Sequence, residues 1–97
     1  MIFEIGDIRI DSDRQEISLN GQSNTIQPQV FDLLVFLIEN RDRLVSKDEL
    51  IDAIWNGRAV SDSTLNARIN AARRAVGDSG VAQSVIKTVP RKGFRFV

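Results

Sequence analysis

Neither cysteine nor histidine occurs among the 97 residues. The first absence rules out disulfides, thiolate zinc sites and a cysteine nucleophile. The second removes the commonest general base and the commonest metal ligand. Tyrosine is missing too, and prolines number only two, at Pro28 and Pro90. No apolar run approaches the length of a membrane span, and the start lacks a basic-then-apolar leader. The expectation is a cytoplasmic chain that makes no membrane contact of its own. With only carboxylates, hydroxyls and amines left, no base-oriented nucleophile and no phosphate-cradling glycine loop is visible. An enzyme is therefore not expected, and neither a metal nor a cofactor is called for. The paired Asp11 and Asp13 are explained more cheaply as turn-formers than as metal ligands.

An excess of either charge is lacking as well, since 13 Lys and Arg face 13 Asp and Glu. The distribution is anything but even. Residues 1–57 carry five basic and eleven acidic side chains, whereas residues 58–97 carry eight basic and two acidic. Such asymmetry within one small chain points to a charged partner on one side. The overall pI hides this feature.

Residues 1–97 read as a single α+β domain, long enough to bury one modest core. Over 1–26, Phe3, Ile5, Ile8, Ile10, Ile17 and Leu19 alternate with polar residues as half-buried antiparallel strands do. Asn20-Gly21 is a strong hairpin signal, because both residues tolerate positive φ. Residues 28–76 read as a three-helix core. Pro28 suits a first helical position, and Val30, Phe31, Leu33, Leu34, Leu37 and Ile38 form a wide apolar face. After the polar turn Asn40 to Leu44, Ser46-Lys47-Asp48-Glu49 matches a capping box opening a second helix. Asn56-Gly57 stops that helix just behind Trp55. A third helix then spans Ser61 to Val76, with Ser61 as N-cap and Gly77 just past its end. Its apolar stripe is Leu65, Ile69, Ala72 and Val76. Ser63, Thr64, Ala67, Asn70, Ala71 and Arg74 lie opposite, while Arg68 and Arg73 flank the stripe. That outer face is short or polar, as suits a helix whose backbone comes close to a polyanion; a solvated helix with a chance arginine cluster is the plain alternative. Residues 84–97 read as a hairpin whose turn, Pro90-Arg91-Lys92-Gly93, carries two cations at its tip. Two helices, a tight turn, a basic helix and a basic hairpin form a winged helix-turn-helix, with the third helix suited to a major groove and the wing to phosphates or the narrower groove.

The stretch Val60 to Val76, the run Val85-Ile-Lys-Thr-Val-Pro-Arg-Lys-Gly-Phe-Arg-Phe, the segment Leu44-Val-Ser-Lys-Asp-Glu-Leu and Trp55 together resemble the effector domain of OmpR/PhoB-type bacterial transcriptional regulators. The resemblance covers essentially the whole chain, including the N-terminal sheet. It implies sequence-specific binding to double-stranded promoter DNA, often as head-to-tail copies on direct repeats. It further implies that Thr64 and Arg73 contact phosphates, as do Trp55 and Thr88, while Asn70, Ala71 and Arg74 face bases or adjacent backbone. Two departures stand out. Position 71 is Ala where some members place a base-reading Arg, and the wing's common Arg-Gly-x-Gly is here Pro90-Arg91-Lys92-Gly93, which passes the minor-groove contact to Arg91 or Lys92. The Thr-Val-Pro-Arg-Lys-Gly wing is similar to members whose DNA-binding domain comes first, followed by a sensor, a membrane span or helical repeats. The expectation is thus a domain excised from a longer regulator, with no receiver ahead of it. In such proteins the loop Asn56 to Val60 is a candidate contact for RNA polymerase.

If Arg68, Arg73, Arg74, Lys87, Arg91, Lys92 and Arg95 neutralise phosphates, the log-log salt slope is roughly −4 to −7 on B-form DNA. Asn70 suits the bidentate pair with adenine that amide side chains favour. The rival reading is a winged-helix module whose basic face meets an acidic protein. An RNA-reading sheet would want exposed aromatics, and the five Phe look committed to the core.

Overall fold

Four short strands open the chain in the computed structural model, which describes residues 1–97. β1 (Ile2–Ile5), β2 (Ile8–Asp11), β3 (Glu16–Leu19) and β4 (Gln22–Asn24) form an antiparallel meander in that order. Phe3 pairs with Ile10, and Ile10 with Ile17, so one apolar row crosses the first three strands. Ile8, Ile10 and Ile17 are buried while Arg9 between them faces out, as a pleat of period two requires. The β3–β4 turn holds Asn20 and Gly21 at φ of 53° and 80°, the left-handed pair that a tight hairpin needs. Asp11 earns its place as a turn residue: its Oδ1 accepts the amides of Asp13 (3.1 Å) and Arg14 (3.2 Å).

α1 (Pro28–Glu39) lies at the centre of the core, with Pro28 in its first turn. Leu33, Leu34, Leu37 and Ile38 are wholly buried, and each such side chain contributes about 1.5–3 kcal/mol over leaving it in water. α2 (Lys47–Trp55) starts with both halves of the capping box in place. The Ser46 Oγ accepts the Glu49 amide at 3.1 Å, and the Glu49 carboxylate accepts the Ser46 amide at 3.3 Å. Asn56 stops α2 in the left-handed region at φ 54°. α3 (Asp62–Ala75) is capped by Ser61, whose Oγ accepts the Thr64 amide at 3.1 Å. The expected stripe of Leu65, Ile69, Ala72 and Val76 is buried, and Ala75 joins it.

The second sheet has three strands, one more than the sequence indicates. β6 (Ile86–Val89) and β7 (Gly93–Phe96) form the wing, and β5 (Val45–Ser46) adds itself to the far side of β7. Two residues are too few to show any alternation, so β5 is invisible in the pattern. Its root fixes the wing. Val45 pairs with Phe94 and Ser46 with Gly93, and a Cβ built on Gly93 would lie 1.9 Å from the Val45 carbonyl oxygen. Only glycine allows that crossing, so the wing is tied directly to the start of α2.

Candidate nucleic-acid interface

The residues assigned to the outer face of α3 divide into two groups. Ser63, Ala67, Asn70 and Arg74 are exposed and follow one another at spacings of four, three and four, which makes one open stripe along the helix. Thr64 and Ala71 leave that stripe. Ala71 is half-buried with Ala67, Arg68 and Arg74 in a groove against Asn24 to Gln27. A helix turns 100° per residue, so position 71 rotates toward the β4–α1 connection rather than straight outward. Arg68 sits on the same flank, its Nε donating to the Gln29 Oε1 at 3.0 Å. Thr64 is half-buried, and its Oγ1 accepts from the Ser61 hydroxyl at 3.0 Å, which leaves the Thr64 proton free to donate. Trp55 packs its half-buried ring against the core at the end of α2.

Arg73 departs furthest from expectation. Far from being a free cation, it is only 4% exposed. Its Nε donates to the Ile86 carbonyl (3.0 Å), its Nη1 to the Asn70 Oδ1 (3.0 Å) and its Nη2 to the Thr88 Oγ1 (2.6 Å). The bonds to Ile86 and Thr88 weld α3 to the first wing strand, and the bond to Asn70 stays within the helix. The helical position explains this: residue 73 follows Ile69 by four and lies on the edge of the apolar stripe, where a long side chain reaches across to a neighbouring strand. Burial lowers the guanidinium's pKa, and the Asp78 carboxylate partly offsets that. Thr88, half-buried, thus spends its hydroxyl oxygen on Arg73.

Asp78 lies in the loop that follows α3, outside every motif of the sequence. It is 7% exposed and accepts five hydrogen bonds. Oδ1 takes the amides of Ser79 and Ser84 (both 2.7 Å) and the Ser84 hydroxyl (2.9 Å); Oδ2 takes the amides of Val85 and Ile86 (both 2.9 Å). Burial alone would raise its pKa, but the amides of Ile86, Val85, Ser84 and Ser79 outweigh burial and hold the carboxyl far below the usual range. Ile86 is consequently gripped twice, its N–H by Asp78 and its carbonyl by Arg73. The one signal in the sequence was an isolated acid just past a helix C-terminus, in a region otherwise basic.

On the wing, Arg91 and Lys92 are exposed at the tip, and Arg91 adopts φ 66°. Lys87 pairs directly with Arg95 across β6 and β7, and both are exposed. Like charges directly opposite one another cost stability. Ion pairing follows the same divide as the charge. Of the five cations in residues 1–57, Arg9, Arg14, Arg43 and Lys47 have a carboxylate within 4.0 Å; none of the eight in residues 58–97 does. The positive charge is held apart from the protein's own acids.

Sheet, three helices and basic hairpin in this order and register define a winged helix-turn-helix domain. The family model for transcriptional regulatory proteins, C terminal, matches residues 21–96, and the chain belongs to that family, of the OmpR/PhoB type. The transcriptional activator CadC of Escherichia coli is 30% identical over 97 residues, which cover 99% of this chain and 19% of that protein. The solved DNA-binding domain of Escherichia coli CadC superimposes with a TM-score of 0.81 at 30% identity, over 97% of this chain and 89% of that one. DrrB, an OmpR/PhoB homolog from Thermotoga maritima, gives a TM-score of 0.89 at 27% identity over 99% of this chain and 44% of DrrB. The DNA-binding domain of Klebsiella pneumoniae RstA, crystallised with the RstA box, gives 0.88 over 99% of this chain and 96% of that one; at 23% identity the likeness is one of fold. The chain spans about a fifth of CadC and 42% of the sensory transduction protein RegX3 of Mycolicibacterium smegmatis. No helix is long and apolar enough to cross a membrane.

Proposed function

We propose that the chain binds specific double-stranded DNA for transcriptional regulation, with α3 in the major groove and the wing tip on the adjacent backbone or minor groove. One observation carries the reading. No cation from residue 58 onward has a carboxylate within 4.0 Å, and Lys87 and Arg95 are set opposite each other in register. A fold that tolerates this repulsion gains when a row of phosphates neutralises it.

Ser63, Ala67 and Asn70 are the part of the stripe offered to base edges, and their small size lets the helix lie deep. Arg74, Arg91, Lys92, Lys87 and Arg95 supply phosphate contacts, joined by the hydroxyl of Thr64 and the indole N–H of Trp55. Arg73 and Thr88 belong to the proposal in a second role, holding the wing at a fixed angle to α3. RNA polymerase at the Asn56–Val60 loop, a second copy head-to-tail on the DNA, and a longer regulator around this domain are parts of the same proposal.

The test is selection of a duplex library by the purified chain, followed by salt titration on the selected site. With five exposed cations engaged, the log-log slope is roughly −4 to −5. An acidic protein as the true partner would instead give weak binding to every duplex, with no enriched sequence.

A further inference from the structure

We propose that Gly80 and Arg73 act as positioning residues that turn Asn70 into a one-way reader, offering its amide N–H outward and keeping its oxygen inward; the inference rests on the DNA-binding reading above.

A guanidinium donates and cannot accept, so the carboxamide that meets Arg73 Nη1 at 3.0 Å must do so with its oxygen. Arg73 cannot swing away, because Ile86 and Thr88 hold its other two nitrogens and the side chain is buried. The Asn70 Nδ2, by contrast, has no acceptor in the protein, and Asn70 is exposed on the open stripe of α3. Gly80 closes the arrangement from the other side. A Cβ built there would stand 3.3 Å from the Asn70 Oδ1 and 3.9 Å from the Arg73 Nη1. Gly80 is not among the residues with positive φ, so its backbone could carry a side chain. The space beside the Asn70 oxygen is what favours glycine at this position. Loop and helix together hold the amide in one orientation before any ligand arrives.

The chemistry follows. A bidentate adenine contact uses both amide atoms of an asparagine, whereas this one has its oxygen committed to Arg73 and its N–H free. It seeks an acceptor on the major-groove edge: a purine N7, a guanine O6 or a thymine O4. It disfavours cytosine, whose N4 amine would face a donor with a donor.

Library selections compare the wild type with Asn70→Asp and Gly80→Ala. Aspartate keeps an oxygen for Arg73 and presents a second one outward, so it tests orientation without dismantling the clamp. The wild type is expected to exclude cytosine at one position by about 2- to 12-fold, the range of a single hydrogen bond. Asn70→Asp should reverse that position toward cytosine, on top of a uniform loss of affinity from the added negative charge. Gly80→Ala should flatten the same position while its melting temperature stays within a few degrees of the wild type. Retention of the wild-type preference in Asn70→Asp overturns the proposal, as does an unchanged selected sequence in Gly80→Ala. Failure of the wild type to select any sequence is a different result, which removes the DNA-binding reading itself.

Discussion

Removing the Asp78 carboxylate is the sharpest single test of how the wing is held. In Asp78→Ala five donors lose their acceptor. The amides of Ser79 and Ser84 and the Ser84 hydroxyl lie near the surface and can turn to water. The Ile86 amide cannot, since Ile86 is wholly buried, and the Val85 amide is only partly accessible. A buried donor left unmade costs about 1–3 kcal/mol, and bonds to a charged acceptor sit at the upper end. Two such donors, with some slack in the loop, give a loss of roughly 3–5 kcal/mol. A chain of this length has about 5–15 kcal/mol in total, so the variant is left marginal. At about 4–8 °C per kcal/mol, the midpoint falls by roughly 12 °C or more. Thermal and urea melts at neutral pH, followed by circular dichroism, measure it directly. A drop under about 4 °C would refute the reasoning, because surface carboxylates in loops change stability by about half a kcal/mol at most.

Other outcomes follow from the same geometry. The Asp78 carboxyl titrates lower in the folded chain than in the unfolded one. Its contribution is therefore present above about pH 4 and is lost as pH falls toward the folded value. Urea midpoints measured from pH 5 down to pH 2 should decline less steeply in Asp78→Asn than in the wild type. Arg73→Ala is expected to lower stability by about 2–4 kcal/mol through the orphaned Ile86 carbonyl and Thr88 hydroxyl, so its binding defect should come with a melting defect. Arg74→Ala and Lys92→Ala should melt like the wild type and weaken binding to all duplexes alike, each reducing the salt slope by about one. Gly93→Ala should fail to fold, since its Cβ would lie inside contact distance of the Val45 carbonyl; a soluble, cooperatively melting variant would show that the β5–β7 crossing can yield.

Most of the fold was legible because its signals are local. Alternation gave β2 and β3, the Asn20-Gly21 pair gave their neighbouring hairpin turn, and Ser46 with Glu49 gave the start of α2. The apolar stripe of α3 was read from spacing alone and is buried as expected. β5 was not legible, for its two residues pair with a strand almost fifty positions later, and no window of sequence holds both partners. The interface was legible in composition and less so in role. Arginine type and helical spacing mark Arg73 as basic and near the groove face, yet whether it meets a phosphate or the protein depends on where β6 runs. The same applies to Asn70, whose oxygen is committed by a bond three residues away, and to Asp78, whose donors lie along a loop with no periodicity.

The close backbone crossing at Gly93 has a practical consequence for anyone wishing to redirect this domain. Between Val89 and Gly93 the chain runs free of the core, its turn closed by one bond from the Lys92 amide to the Val89 carbonyl at 3.0 Å. Tips of other length or charge can therefore be grafted there like interchangeable tool heads, while the glycine socket beneath them has to be kept.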